Sequence, residues 1–383
     1  MFGRIFTIVF LILLVADLYI FFLYIKKLTA KVSLRILWFV PSALLLAGLY
    51  IFFYTDFGRG YRDIFMLTFI IIALPKIFFT IISLFDLPLR YFFKWKVYPF
   101  TILALAVSIA AIYIVIYGST AGKSKFEVKR IEYTSSKLPQ EFDGYRIIQL
   151  SDLHIGNWEG DTKSISRMVD IVNTLNPDVI VITGDLVHNS ASELDGYEEI
   201  LSALKARDGV YSILGNHDYG LYKRWGSEEK QQLNLDDLKK RQAGMGWRLL
   251  NNEHTYLVRN NDSIALIGVE NDGSPPFPQY GDLPEAGRGI SNDKLKILLS
   301  HDPTHWRREA LGSGVDLMLA GHTHATQFAL GSFSPAAFVY PEWRGLYTEG
   351  DQVLYVNVGI GHVGMPFRYG AWPEITEITL KRK

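Results

Sequence analysis

Five short segments, each directly after an apolar run, carry the Asp, Asn and His residues of this chain that can do chemistry. They are Ser151-Asp152-Leu153-His154, Gly184-Asp185, Gly215-Asn216-His217-Asp218, Ser300-His301-Asp302 and Gly321-His322-Thr323-His324. Carboxylate, amide-oxygen and imidazole donors are what hard and borderline divalent cations take, and this set can fill two metal shells. Two ions a few ångströms apart are a common means of hydrolysing a phosphate ester. The expected chemistry is dinuclear phosphoester hydrolysis.

Each segment is read by what it can donate. Asp152 and His154, two residues apart in an extended turn, point to one side and suit a first metal, which His324 closes. Asp185, on a sharp Gly-Asp turn, is expected to bridge both ions through its two carboxylate oxygens. Asn216 offers a neutral amide oxygen to the second metal, which His301 and His322 complete. About four protein ligands per ion leave positions open for water and substrate, as a catalytic site requires. His217 is expected to face away from its neighbour's metal and to stabilise charge or protonate the leaving oxygen, with Asp218 orienting it. The expected nucleophile is a hydroxide bridging the ions, so no covalent side-chain nucleophile is required. Manganese is the first choice of ion, and iron, zinc or magnesium also suit such donors. The other histidines, His188, His254, His305 and His362, read as structural or rim residues. Singly, an Asp-x-His or a strand-end His is an ordinary structural feature. The order of five carries the reading.

Such scattered segments meet only if the elements before them share one sheet edge. Apolar runs at Tyr145–Leu150, Asp178–Thr183, Val210–Leu214, Ser263–Val269, Leu295–Leu299, Val315–Leu319, Val353–Asn357 and Glu374–Leu380 predict strands. Ile165, Met168, Val169, Val172 and Leu175 fall at helical spacing within Thr162–Leu175, which Asn176-Pro177 stops, and a second helix is expected over Tyr197–Ala206. Alternating strands and helices imply a layered α/β domain with a buried sheet, whose loops beyond the carboxyl ends of the strands converge on one crevice. A polar, helix-prone insertion at Tyr219–Trp247 and a Gly/Pro-rich loop at Asp272–Gly289 are expected to rim it.

The first 120 residues have another composition. Four apolar stretches, about Phe2–Tyr24, Leu34–Tyr54, Ile64–Phe85 and Val97–Tyr117, each hold roughly 20 residues, enough to cross a bilayer as a helix. Tyr24, Trp38, Tyr50, Tyr54, Tyr61, Tyr91, Trp95, Tyr98 and Tyr117 gather near their ends as interface anchors. The organisation expected is a transmembrane anchor over 1–120, a connector over 121–143 and a catalytic domain over 144–383. Lys26, Lys27, Lys31, Arg35, Arg90, Lys94 and Lys96 in the first and third connections face Arg4, Arg59 and Arg62 on the other side. The positive-inside rule then puts the catalytic domain outside the cytoplasm of a bacterial inner or plasma membrane, although Lys123, Lys125, Lys129 and Arg130 beyond the fourth stretch count the other way. Asp17 and Lys76 fall inside apolar stretches, as an interhelical pair or as functional intramembrane charges.

The 383 residues hold 39 basic and 39 acidic side chains and no cysteine. Zero net charge gives no sign of nucleic-acid binding, and the missing thiols exclude disulfides, thiolate metal sites and cysteine nucleophiles. Gly359-Ile360-Gly361-His362-Val363-Gly364 spells a dinucleotide fingerprint, but Met365-Pro366 follows where a helix should open. A glycine turn against the metal centre is the better reading.

The ordered motifs D-x-H, G-D, G-N-H-D, H and G-H-x-H resemble those of the calcineurin-like metallophosphoesterases, over roughly Gly144–Leu380. The tail, from Asn357-Val358-Gly359-Ile360-Gly361 through Pro366-Phe367-Arg368 to Pro373-Glu374-Ile375-Thr376, is similar to that of the membrane-associated bacterial branch, which includes phosphodiesterases and hydrolases of lipid-linked pyrophosphates such as UDP-diacylglucosamine. The resemblance implies a four-layer α/β/β/α sandwich. It implies metal ligands at Asp152, His154, Asp185, Asn216, His301, His322 and His324, with His217 as the catalytic histidine. Ala325-Thr326-Gln327 departs from the usual Gly-Gly-Gln of that branch, which bears on pocket shape and removes no ligand. The expected partners are the bilayer and a phosphoester, lipid-linked or envelope-linked. The competing readings are a catalytically silent membrane sensor or scaffold on the same fold and an ion-coupled transporter.

Overall fold

The computed structural model describes residues 2–55, 58–95 and 97–383, apart from the side chains of Phe2, Ile5, Phe53, Tyr54 and Arg59; Lys96 lies outside that description. The chain divides into two units, Met1–Thr120 and Ala121–Lys383.

In the first unit the Leu-, Ile- and Phe-rich runs form helices, the conformation that satisfies every backbone polar group within one segment. Four helices are long and apolar enough to cross a membrane: Phe6–Leu28, Val32–Phe52, Gly60–Phe93 and Pro99–Ser124. Ala16, Ala73, Ala104 and Ala111 are buried between them, and such small side chains let helix backbones approach closely. Asp86 accepts hydrogen bonds from the backbone N–H groups of Phe100 (3.1 Å) and Thr101 (2.7 Å), capping the amino end of the last helix. Asp17 and Lys76 pair at 2.7 Å between the first and third helices. Lys76 Nζ also donates to Ser42 Oγ at 2.8 Å and lies 4.6 Å from the centre of the Trp38 ring.

The second unit holds twelve strands: β1 (Glu127–Ser135), β2 (Arg146–Leu150), β3 (Val179–Thr183), β4 (Val210–Ile213), β5 (Trp247–Leu249), β6 (Glu253–Arg259), β7 (Asp262–Gly268), β8 (Lys296–Leu299), β9 (Leu317–Ala320), β10 (Gly345–Glu349), β11 (Gln352–Val356) and β12 (Glu374–Arg382). They form two mixed six-stranded sheets, ordered β1-β12-β2-β3-β4-β5 and β10-β11-β9-β8-β7-β6. The two-residue alternation of each strand builds the layers. Ile147, Val179, Val181 and Ile213 face inward to Leu266, Ile297, Leu299, Leu317 and Leu319 of the other sheet. Ile148, Leu150, Ile180 and Ile182 face outward to α1 (Thr162–Thr174), which presents Ile165, Met168, Val169 and Val172 from one stripe. Burying each such side chain contributes about 1.5–3 kcal/mol before entropy is counted. Trp306, Leu283 and Ala310 cover the far face of the second sheet. Four apolar helices thus precede an α/β/β/α sandwich.

The structure departs locally from the sequence reading. Four strands, β1, β5, β6 and β10, are not among the expected runs, and β1 lies within the expected connector, paired in parallel with β12 from Glu127↔Glu374 to Ser135↔Arg382. Its polar, charged alternation hides a strand because the outer edge of a sheet faces water. The expected helix at Tyr197–Ala206 shortens to α2 (Glu198–Ser202), while the polar insertion forms α3 (Glu228–Gly244), capped by the Ser227 side chain.

Candidate metal centre

All five motifs lie just past the carboxyl ends of central strands: β2, β3 and β4 of one sheet, β8 and β9 of the other. Glycine allows the loops to close on one point. Gly184 adopts a φ of +90°, and a Cβ there would meet Gly215 N at 2.6 Å and His301 Nδ1 at 2.8 Å. A side chain on Gly215 would collide with the Asp185 carboxylate. Bonds across the two sheets then lock the arrangement: His301 Nδ1 donates to Thr183 O at 2.7 Å, and His322 N donates to Asp152 Oδ2 at 3.0 Å.

Two clusters result. Asp152, His154 and His324 form one, and Asp185, His301 and His322 the other, with the ligand atoms of each cluster within 4.8 Å of one another. Asp185 Oδ2 stands between them, 3.4 Å from His154 Nε2 and 3.3 Å from His301 Nε2. Its Oδ1 accepts the backbone N–H of His217 at 2.9 Å. Asp185 thus stands where the expected bridging carboxylate would, with Oδ2 toward both clusters and Oδ1 held by the His217 backbone.

Three observations fit these clusters to divalent cations. Asn216 Oδ1 is buried with no hydrogen-bond partner among the described residues, while its Nδ2 donates to Tyr222 Oη at 2.8 Å. Imidazole nitrogens face each other, His154 Nε2 to His324 Nε2 at 3.1 Å and His322 Nδ1 to His301 Nε2 at 3.3 Å. The donors are nitrogen and oxygen throughout. Outer partners aim the rings: Arg368 Nη2 donates to His324 Nδ1 at 2.8 Å, and Tyr340 Oη lies 2.9 Å from His322 Nε2.

Burial pushes the imidazoles of His154, His322 and His324 below the usual histidine range and keeps them neutral, the form that can ligate. Burial also lowers His301, but the Asp185 carboxylate and its hydrogen bond, then Asp152, outweigh it and push the ring up to about 10. Burial raises the carboxyls of Asp152 and Asp185, yet the adjacent His324 and His301 hold both below the usual carboxylate range.

Backbone strain concentrates at the same place. Asp152, His154, Asp185, His322 and His324 all have positive φ, between 42° and 71°. Each such residue costs about 1–3 kcal/mol and persists only where its surroundings over-determine it. The Ala325-Thr326-Gln327 departure continues the pattern, with φ of 48°, 49° and 61°. A glycine pair suits that turn because it adopts this conformation without a Cβ penalty.

His217 lies beside the centre, its ring 4.8 Å from that of His154 and perpendicular to it. A carbonyl can only accept, so His217 Nδ1 donates to His188 O at 2.7 Å and Nε2 is left for other chemistry. The expectation that Asp218 orients His217 is corrected. Asp218 is fully buried and accepts the backbone N–H groups of Asp185 (2.9 Å), Gly215 (2.9 Å) and Val187 (3.1 Å), pinning two motif loops together.

Sequence reasoning missed His188, whose ring stacks 4.7 Å from His217 in a third cluster with His154. Its position three residues beyond Asp185, past the end of β3, was the available signal. The two expected rim segments do reach the centre: Tyr222 packs 4.4 Å from His217, and Phe277 packs 4.6 Å from His322. His305 Nε2 lies 2.8 Å from Glu309 and 3.2 Å from Asp272, whose carboxylate also pairs with Arg308. The glycine-rich tail binds no helix start; Gly361 N donates to Asp152 O at 2.7 Å, and Gly359 packs on the Asp152 side chain.

Comparison with known proteins agrees with this geometry. Residues 145–326 match the family described as Calcineurin-like phosphoesterase, and residues 3–123 match "Probable Calcineurin-like phosphoesterase, transmembrane domain". The uncharacterized metallophosphoesterase YkuE of Bacillus subtilis is 32% identical over 279 residues, 69% of this chain and 90% of YkuE. The transmembrane proteins with metallophosphoesterase domain of Danio rerio and Bos taurus are 34% and 32% identical over 74% and 73% of this chain, which spans 63% and 62% of their lengths. With both units matched and YkuE covered almost throughout, the chain belongs to the calcineurin-like metallophosphoesterases, in a form with an N-terminal domain of four transmembrane helices.

Proposed function

We propose that this protein is a membrane-bound phosphoesterase that hydrolyses a phosphodiester or pyrophosphate bond in a lipid or envelope-linked substrate. The observation that carries the reading is the pairing of two His/Asp clusters about Asp185 Oδ2 in a chain with four membrane helices. Asp152, His154 and His324 would hold one ion and Asn216, His301 and His322 the other, with Asp185 shared. Such ions, manganese, iron and zinc among them, lower the pKa of water and neutralise charge on phosphoryl oxygens. His217, held by the His188 carbonyl, presents Nε2 to stabilise that charge or to give a proton to the leaving oxygen. Asp218 keeps Asp185 and Asn216 in register through their loops. The seven basic residues of the first and third connections outnumber Arg4, Arg59 and Arg62 across the four stretches and favour an extracytoplasmic catalytic domain, although Lys123, Lys125, Lys129 and Arg130 even the count. Outside, the phosphoesters at hand are those of phospholipids and envelope polymers. The purified chain should hydrolyse bis(p-nitrophenyl) phosphate, lose the activity on chelation and regain it with Mn²⁺. A protein that binds two ions per chain and cleaves no phosphoester rejects the reading.

A further inference from the structure

The segment after the last metal motif has an inverted pattern. From Phe328 to Pro341 it contains no charged residue. Two of its three alanines point in and four of its large side chains point out: Ala329 and Ala336 are buried with Ala325, Trp343 and Val358 in a small core, while Phe338 is 82% exposed and Val339 68%. Leu330 and Phe333 are each about half exposed, and the Phe333 and Phe338 rings meet at 6.2 Å. The backbone is held in place. Ser334, fully buried, donates to Ala325 O at 2.8 Å and accepts from Ala336 N, and Leu330 and Phe333 exchange backbone hydrogen bonds. A soluble surface has no use for a fixed cluster of exposed aromatic and branched side chains.

Two neighbours say what covers it. At one end Tyr340 reaches the metal centre through His322, so the cluster forms a lip of the site. At the other end Arg344, stacked on Trp343, lines a cavity of about 280 Å³ with Lys129 and Trp372. Lys125 lies 4.2 Å from the centre of the Trp372 ring, and the fourth membrane helix ends at the preceding residue, Ser124. The lip therefore adjoins a Trp-bearing surface on which Lys125, Lys129 and Arg344 stand beside Glu127 and Glu374, and Lys125 directly follows the fourth membrane helix in the chain. Basic residues and tryptophan at headgroup depth, with Phe, Leu and Val beyond them, are the composition of an interfacial lipid contact.

We propose that the Leu330–Val339 lip seats in the bilayer surface and presents the metal centre to a phosphoester carried by a membrane lipid. The substrate part rests on the hydrolase reading above; the lipid contact does not. Because the chain lacks cysteine, Phe338→Cys gives a single labelling site on the full protein in phospholipid nanodiscs. Val258, 60% exposed on β6 at the opposite edge of the second sheet from β10, supplies the control as Val258→Cys. An environment-sensitive fluorophore at 338 should be quenched by doxyl-labelled phosphatidylcholine at least twofold more than one at 258. Equal quenching at both positions overturns the lip, whatever the substrate. The double change Phe338→Ser with Val339→Ser should slow hydrolysis of bilayer-borne phosphatidyl-p-nitrophenol about tenfold and leave that of soluble bis(p-nitrophenyl) phosphate within twofold. Quenching at 338 with unchanged rates on both esters keeps the lip and overturns the lipid-borne substrate. An equal loss on both esters also overturns that part, since the lip would then serve the centre itself.

Discussion

Two buried ionic clusters, one among the membrane helices and one at the sheet edges, satisfy their charges in opposite ways. Lys76 meets Asp17, Ser42 and the Trp38 ring, so each N–H of the ammonium has an acceptor or an aromatic face. That cluster is closed. At the sheet edges imidazole nitrogens confront one another at 3.1 and 3.3 Å, and an amide oxygen is buried without a donor. That cluster leaves nitrogen and oxygen donors over, in an arrangement that fits divalent cations. A buried charge is thus a sign of function only where its partners in the fold leave a donor or an acceptor over.

Substitutions test the contrast from the open cluster downward. Asp185→Asn should have the largest effect, because Asp185 Oδ2 faces ligands of both groups. Metal analysis of the purified variant should show the loss of at least one ion per chain, together with activity. Full occupancy at normal rate would remove Asp185 from the shared position. His217→Ala should keep both ions and lose roughly 10²–10⁴-fold in rate, the range of a positioned acid–base group. The loss should shrink for a nitrophenol leaving group, which scarcely needs a proton; an equal loss across leaving groups would point to charge stabilisation instead. Metal loss in this variant would make His217 a ligand.

The closed cluster should respond to pairing alone. Lys76→Met leaves the buried Asp17 without its ionic partner, a change that costs about 3–5 kcal/mol when one partner of a buried pair is removed. Adding Asp17→Leu should restore most of that stability, read as the unfolding midpoint in detergent, with soluble-ester hydrolysis unchanged throughout. A double variant as unstable as the single one, or an inactive one, would give the pair a role beyond holding helices together.

The same physics explains what could be read from the sequence. Val179-Ile180-Val181-Ile182 is apolar on both faces because both faces are buried, and a run of that kind announces a central strand. The motifs announced the centre because chemistry needs particular side chains in a fixed order. The edge strand β1 stayed hidden, since Lys129, Arg130 and Glu132, exposed on both of its faces, look like any polar linker until β12 pairs with it. Residues that act through backbone were equally hidden. Nothing in Asp218 tells that it caps three N–H groups, and nothing in His188 tells that its carbonyl, more than its ring, fixes His217. The lip was missed because scattered Phe, Leu and Val normally mean core, and only their exposure reverses that meaning.

The smallest effect lies in the turn that follows His324. Thr326 is exposed with φ 49° and ψ 24°, a left-handed conformation that costs a β-branched residue about 1–2 kcal/mol. Its hydroxyl donates to Ala325 O at 2.7 Å, a local bond that recovers part of the cost. Glycine removes the steric term and adds chain entropy to the unfolded state, worth about 0.5–1 kcal/mol in the other direction. Thr326→Gly should therefore stabilise the metal-loaded protein by up to about 1 kcal/mol, a rise of roughly 2–4 °C in the unfolding midpoint for a domain of this size. Ala325→Gly should not, although its φ is 48°, because its buried methyl packs with Ala329 and Ala336 and that contact would be lost. Metal content should stay the same in both. If the two substitutions shift the midpoint equally, the turn carries no steric strain at Thr326, and the open cluster ends one residue earlier than its backbone suggests.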